Sequence, residues 1–408
     1  MSIGIEKLRK KLKFKRTRGL LRYEYYEEKQ RAVDLGISTP EGLEWFSCIN
    51  GWCTKAVDGL ADRLQFDQFE NDNFKFKEMF DQNNPDIFFD DAILSALITS
   101  CSFVYISKGA GDGRVRFQII DGTNATGVLD DFTKLLVEGY AVLDRDDKGN
   151  PITEAYFTPG RTEVYTKGSD KVAVEKFDCK YCALVPIIYK PDARRPFGHS
   201  RISRACMEYA KAAMRTLKRT EISAEFYSFP QKYATGLSQD SELMDSWKAT
   251  MSAMLTFTKD EDGERPTLGQ FQQGSMAPHV EELKSIASMF AGETGLTLDD
   301  LGFVTSNPSS AEAIKAAHEG LRLIAAKAQR CFAVGFKNVG YIGACLRDNQ
   351  DYTREEIFET RVAWRPVFEP DAATLSLIGD GVLKLNQAMQ NGNDYINEDR
   401  MRRLTGIE

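Results

Sequence analysis

Cys179 and Cys182 form the only C-x-x-C of the chain, a spacing used by redox pairs and by zinc knuckles. Zinc would need two further ligands at matching spacing, and the three histidines, His199, His279 and His318, are scattered. Redox chemistry would want a helix starting behind the first cysteine, and the pattern there gives none. Eight cysteines in 408 residues make no disulfide framework and read as reduced thiols. Gly109, Gly111 and Gly113 lie between two alternating segments, where a hairpin turn accounts for them; a nucleotide site would need a helix to follow. The sequence has no G-x-x-x-x-G-K-[ST], no G-x-S-x-G and no H-E-x-x-H, which removes the phosphate-loop, nucleophile-elbow and zincin chemistries. The acid pairs Asp130-Asp131 and Asp299-Asp300 read as caps or solvated turns rather than catalytic dyads. Asn124-Ala125-Thr126 is a glycosylation sequon by chance, without a secretory context. Nothing here asks for catalysis, a metal or a cofactor.

The elements that would carry these residues follow from charge and periodicity. Lys and Arg number 53 and Asp and Glu 60, a net charge of −7, which argues against a protein that coats DNA through general basicity. The charge is uneven. Residues 1–22 hold nine basic side chains (Lys7, Arg9, Lys10, Lys11, Lys13, Lys15, Arg16, Arg18, Arg22) against Glu6 alone, so the remaining chain is strongly acidic. This basic segment reads either as an arm for nucleic acid or a partner, or as a solvated, partly helical terminus. The chain then runs into Tyr23-Glu24-Tyr25-Tyr26-Glu27-Glu28 without the apolar region of a secretory signal. Ala92 to Ile106 is the most apolar stretch, but it is short and carries Ser95, Thr99, Ser100 and Ser102. It reads as a buried helix followed by a strand, not a membrane span, and the protein as soluble and made in a cytosol.

Residues 23–65 read as helical, with Trp45, Ile49, Val57, Leu60 and Leu64 on the apolar side. Gln65 to Asp91 is acidic and rich in Phe and Asn, and Asn83-Asn84-Pro85 breaks it. From Phe103 the period becomes two, and turn signals recur, so residues 102–190 are expected to be mainly antiparallel strands. A helix is expected over Ser200–Ser228, ended by Phe229-Pro230. Residues 231–276 read as a small unit with a strand at Gln231–Thr235, a helix around Ser241–Leu255 and a hairpin turning at Asp260–Gly263. A shorter helix follows at His279–Ala291. Ser309 and Glu312 stand in capping-box relation before one long helix to Arg347, whose stripe includes Gly335, Gly340 and Gly343. A strand-like segment at Arg361–Phe368 and helices from about Asp371 complete an α+β chain of two or three structural units.

Three segments in order carry a resemblance. They are Val185-Pro186-Ile187-Ile188 through Pro196-Phe197-Gly198-His199-Ser200-Arg201-Ile202; Glu221-Ile222-Ser223-Ala224-Glu225 through Phe229-Pro230-Gln231-Lys232-Tyr233 to Gly236-Leu237; and Leu301-Gly302 with Asn307-Pro308-Ser309-Ser310-Ala311-Glu312-Ala313-Ile314. Together they resemble the portal proteins of tailed bacteriophages, the siphophage type among them. Leu43-Glu44-Trp45 and Asp58 to Leu64 resemble that family more loosely.

The resemblance implies a portal fold with wing, helical stem, small α/β clip and helical crown, assembled as a ring of twelve. On this chain it implies a basic arm at 1–22, wing at 23–199, first stem helix at 200–228, clip at 229–277, second stem helix at 278–292, tunnel loop at 293–311, long wing helix and strand at 312–370, and crown at 371–408. It also implies a virion protein at one capsid vertex, assembled in the host cytoplasm, that passes double-stranded DNA. Its implied partners are terminase large subunit, major capsid protein, scaffold and a head–tail adaptor, with no membrane. Thr305, Ser306, Asn307, Ser309 and Ser310 would then touch DNA, and Trp247, Met251, Asp260, Glu261 and Asp262 would meet partners. Arg204, Lys211, Arg215 and Lys218, at helical spacings with Glu208 among them, form either a stripe that guides DNA or a solvated, ion-paired face. A virion assembly protein without a channel, and an enzyme without a recognisable motif, are the competing readings; stoichiometry and a titratable pocket, respectively, would reveal them.

Overall fold

The computed structural model describes residues 3–31, 47–109, 111, 113–169, 171–228, 232–235, 267–270, 274–303, 311–368, 372–388, 396–398 and 400–401. Internal contacts divide the chain into two units. The first comprises Met1–Lys29, Gly51–Met207 and Ala291–Glu408, and the second Gln30–Asn50 and Glu208–Phe290.

In the first unit the change of period after Ser100 is a change of element. Helix α4 (Pro85–Thr99) starts with its proline in the first turn, where the missing N–H costs nothing. It buries Phe88, Phe89, Ile93 and Leu97 and stops at Ser100, whose φ is 90°. Strand β2 (Cys101–Lys108) follows at once, six of its eight positions buried. It is the centre of an antiparallel sheet between β3 (Val115–Ile120) and β9 (Leu184–Ile188). A second antiparallel sheet runs β4 (Ala125–Leu129), β5 (Leu136–Arg145), β6 (Pro151–Thr158), β7 (Arg161–Thr166), β8 (Ala173–Lys176) in chain order. Phe103, Ile120 and Leu184 of the first sheet and Leu136, Ala141 and Phe157 of the second share one core cluster. The expected strand region is therefore met, and Gly109, Gly111 and Gly113 fall in the β2–β3 connection, where the Gly113 N–H donates to the Gly109 carbonyl at 3.2 Å.

Helix α8 (Glu319–Asp348) lies against that first sheet. Its stripe Leu321, Ala325, Ala328, Phe332, Phe336, Val339 and Ile342 is buried. The glycines let neighbours in: a Cβ at Gly335 would sit 2.7 Å from Ile187, and one at Gly340 2.6 Å from the Phe76 ring. The small residues thus serve packing within the chain. The expected single helix from Ser309 is corrected. Helix α7 (Ala311–Ala317) and α8 meet at His318, where φ is −88° and ψ 0°. The His318 ring lies 5.7 Å from that of Phe368, and its Nδ1 3.9 Å from the Asp300 carboxylate.

The Phe-rich stretch after residue 65 is also structured. Strand β1 (Phe66–Glu70) pairs antiparallel with β12 (Arg361–Trp364), and α3 (Phe76–Asp81) follows it. Phe66, Phe80 and Phe89 stack in this corner, with Phe336 edge-on to Phe89. The helix expected across 23–65 is instead α1 (Ile5–Tyr26) and α2 (Trp52–Ala61). Ile49 is 62% exposed rather than on an apolar face, and Trp45 lies outside the described residues. Helix α9 (Ala372–Ala388) closes the chain's described elements.

The second unit holds most of α5 (Arg204–Ser228) and of α6 (Ala277–Thr294). Arg219 faces Glu282 at 3.7 Å and Ser223 faces His279 at 3.5 Å, so the two helices run antiparallel. Ala210, Ala213, Met214 and Ile222 of α5 and Ile286, Ala287 and Phe290 of α6 are buried. Strands β10 (Lys232–Thr235) and β11 (Thr267–Gln270) pair antiparallel. The helix expected at Ser241–Leu255 and the hairpin turn at Asp260–Gly263 lie outside the described residues. Among the described residues no helix is long and apolar enough to cross a membrane.

Candidate nucleic-acid and partner surfaces

The four basic residues of α5 share one side by spacing but not one environment. Arg204 is exposed in the first turn, and Lys211 is ion-paired with Glu208 at 3.1 Å. Arg215 is half-buried, and Lys218 is only 6% exposed, close enough to Cys48 to act on its thiol. A continuous solvent-facing stripe is thus corrected at its C-terminal end: an enclosed Lys218 has no open path to phosphate within this chain.

The basic N-terminal segment is neither a free arm nor a solvated terminus. Helix α1 buries Leu8 and Leu12 against Tyr140 and Val142 of β5. Ahead of it, the backbone N–H groups of Ile3 and Gly4 donate to the buried carboxylate of Glu138 at 2.6 and 2.7 Å. Several cations anchor the helix. Arg9 bonds Glu154 and Glu6, Lys11 donates to the Gly127 carbonyl at 2.7 Å, and the Lys15 ammonium sits over the rings of Phe103 and Phe197 at 5.2 and 5.3 Å. Lys7, Lys10, Lys13 and Arg18 remain outward.

The fold also gathers arginines that are far apart in sequence. Burial lowers the proton affinity of the Arg22 guanidinium, and Arg195, Arg18 and Arg204 lower it further. The Arg22 Nε is buried with no hydrogen-bond partner among the described residues. Arg204 adds its charge at the N-terminus of α5, where the helix dipole is already positive. Such an arrangement is unfavourable by itself and suits an anion. Sequence spacing could not reveal it, because α1, the 190s loop and α5 meet only in the fold.

The segment Pro196–Ile202 that carries the resemblance is a structural junction. Gly198 has φ 76°, and a Cβ there would meet the Tyr189 carbonyl at 2.0 Å. His199 donates its N–H to the same carbonyl at 3.0 Å, and the Ser200 hydroxyl donates to the Ile98 carbonyl at 2.6 Å. The buried Arg201 donates from Nε to the Ala56 carbonyl at 3.1 Å and from its terminal nitrogen to Thr294. The segment therefore ties α2, α4 and the end of α6 to the start of α5.

Thr305, Ser306, Asn307, Ser309 and Ser310 lie outside the described residues, as do Trp247, Met251, Asp260, Glu261 and Asp262. Just before the former group, Asp300 accepts from the Thr297 N–H at 2.8 Å and its hydroxyl at 2.9 Å, so it serves as a local cap. Among the described residues no group of three or more His, Cys, Asp or Glu could hold a metal. Cys179 is hydrogen-bonded to Cys345 rather than to Cys182, which holds its thiol below the ordinary range and pushes that of Cys345 up.

No family model matches the sequence. The portal protein of Mycobacterium phage L5 is 24% identical over 401 residues, covering 93% of this chain and 80% of that protein. The portal protein of Mycobacterium phage D29 is 23% identical over 404 residues, covering 94% and 81%. The chain is similar to phage portal proteins along its length. Among solved structures, the neck of a native gene transfer agent particle computed with C12 symmetry has a TM-score of 0.45 and 12% identity, covering 88% of this chain and 90% of that one. A chain from the virion of the same kind of particle has a TM-score of 0.44 and 10% identity, with the same coverage. At those values shape adds nothing to the likeness in sequence.

Proposed function

We propose that this chain is the subunit of a portal ring: a channel at one vertex of a phage capsid, through which double-stranded DNA enters and leaves. The observation that carries this reading is the likeness to two portal proteins over more than nine-tenths of the chain. In this reading α5 and α6 are the stem, residues 229–277 the clip, 293–311 the tunnel loop, and the two sheets with α8 the wing. The crown lies beyond residue 371. The clip residues Trp247, Met251, Asp260, Glu261 and Asp262 meet terminase or a head–tail adaptor. Thr305, Ser306, Asn307, Ser309 and Ser310 touch the duplex without fixed charge, which holds it weakly and reads no sequence.

Charge supports a conduit. Many phosphate contacts would release many counterions and bind the duplex tightly, whereas this chain is acidic outside its first residues. A few cations per subunit suffice when a ring repeats them. Among the described residues the Arg18, Arg22, Arg195 and Arg204 group meets that need better than the α5 stripe, because Lys218 is enclosed. Native mass spectrometry and negative-stain imaging of the purified chain test the reading. A closed ring near twelve subunits is expected; a stable monomer or two-fold dimer under assembly conditions overturns it.

A further inference from the structure

Two surfaces of the first unit are complementary and share no residue. The first is a knob. On the exposed face at the start of α4, Ile87 is 64% exposed beside Asp86, with Asp90 and Asp91 one turn on, all three solvent-facing. None of these carboxylates has a cationic partner among the described residues. Burial, then Asp91, Asp86 and Asp62, hold the Asp90 carboxyl above its ordinary range. A single exposed isoleucine is ordinary on a protein surface; what sets this one apart is the acidic field around it.

The second surface is a groove of about 500 Å³. Pro186, Ile188 and Val334 give it an apolar lining, and Lys134, Lys327 and Arg330 supply cations at its edge. Lys327, Arg330 and Val334 stand at helical spacing on the outward face of α8, and Val334 is 46% exposed. The one carboxylate on its wall, Asp192, is already engaged by His199. Knob and groove therefore match in polarity: an apolar centre among acids, and an apolar floor among bases.

We infer that the Ile87 knob of one copy of this chain seats in the Lys327–Arg330–Val334 groove of the next copy. Different patches meeting head to tail make a heterologous contact, which closes into a ring when the rotation allows it. The inference rests on the portal reading and names the surface by which its subunits join. Charge complementarity sets the direction of each subunit relative to the next and penalises the reversed pairing, in which like charges would meet.

The test compares four full-length chains: the natural one, Asp90→Lys/Asp91→Lys, Lys327→Glu/Arg330→Glu, and all four substitutions together. Native mass spectrometry reads the ring fraction and circular dichroism the fold. Each charge reversal should lower the ring fraction at least about tenfold, since a ring repeats the loss at every interface, while the monomers stay folded. The fourfold variant should restore rings. As a second readout, Ile87→Cys with Val334→Cys in one chain should give a ladder of covalent oligomers on treatment with diamide, above the background of either single variant. Rings unaffected by both reversals, a fourfold variant that stays monomeric, or no ladder above background overturn this inference and leave the portal reading standing. A natural chain that forms no ring overturns both.

Discussion

Helices α1 and α5 are both rich in Lys and Arg, yet their cations do opposite work. In α1, Arg9, Lys11 and Lys15 are spent on a carboxylate, a carbonyl and two aromatic rings of the same unit. In α5, Arg204 is exposed, Lys211 pairs with Glu208 on its own helix, and Lys218 is enclosed. Charge count therefore does not decide whether a basic helix is a binding surface. Both helices dock through apolar residues, Leu8 and Leu12 in α1 and Ala210, Ala213, Met214 and Ile222 in α5. What decides it is whether the docked face also brings the cations against fixed acceptors, as it does for Arg9, Lys11 and Lys15.

The largest effect should come from undoing that docking. Leu8→Ala and Leu12→Ala should each cost about 2–5 kcal/mol in urea unfolding, against little change for Lys211→Ala, a surface pair worth at most about 0.5 kcal/mol. Equal small losses at all three positions would mean that α1 is after all a loose arm. Next is the anion surface. If DNA is held by the arginine group, Arg18→Gln or Arg204→Gln should reduce the salt slope of duplex binding by about 0.9 for each phosphate no longer neutralised, and Lys218→Gln should leave it unchanged. A reduced slope in Lys218→Gln would restore the α5 stripe as the binding face.

A smaller effect is expected at Arg9. Arg9→Met keeps the stem and removes the bonds to Glu154 and Glu6, which should cost about 1 kcal/mol in the same unfolding series. The smallest should appear only in alkali. Tyr26 at the end of α1 donates to Asp58 at 3.0 Å, and burial, first, then that bond, raise its phenol from 10.0 to about 12. A group raised in the fold stabilises it fully below its unfolded value and loses that contribution as pH climbs to the folded one. Stability should therefore decline between pH 10 and 12 through this residue. Tyr26→Phe should make that limb of the unfolding curve shallower by the share of one phenol, since Tyr23, Tyr105, Tyr140 and Tyr341 are raised by burial as well.

The legible parts of the sequence were those where one local pattern sufficed. The apolar run before Ser100 and the alternation after Phe103 gave α4 and the two sheets, and the three-and-four spacing through Ile342 gave α8. Capping and periodicity did not foresee the interruption at His318, because its ring answers to Asp300 and Phe368 from other parts of the chain. Strand β1 hid in a Phe-rich segment since its partner β12 lies at the far end of the unit. The docking of α1 rests on Leu8, Leu12 and Tyr25, scattered among nine cations, and a charge-based reading is blind to them. Of the candidate site, Arg204 was visible from spacing, but its association with Arg18, Arg22 and Arg195 is a tertiary event. Burial of Lys218 is likewise invisible to helical geometry alone.

The pairing of β1 with β12 also sets a clock. The Thr360 hydroxyl that bonds the Asn71 carbonyl beside this pair does so across 289 positions of chain. At about 5–20 residues per second of synthesis, β1 waits about 15–60 s on the ribosome with its hydrogen-bonding edge open, although Phe76, Phe80 and Phe89 are already made to receive its rings. Newly made chains thus pass through a window of vulnerability to aggregation that their finished form gives no sign of, and slower translation of the last hundred codons would lengthen it. Yield of intact protein should therefore respond to synthesis rate and to chaperone supply even when the stability of the finished fold is unchanged.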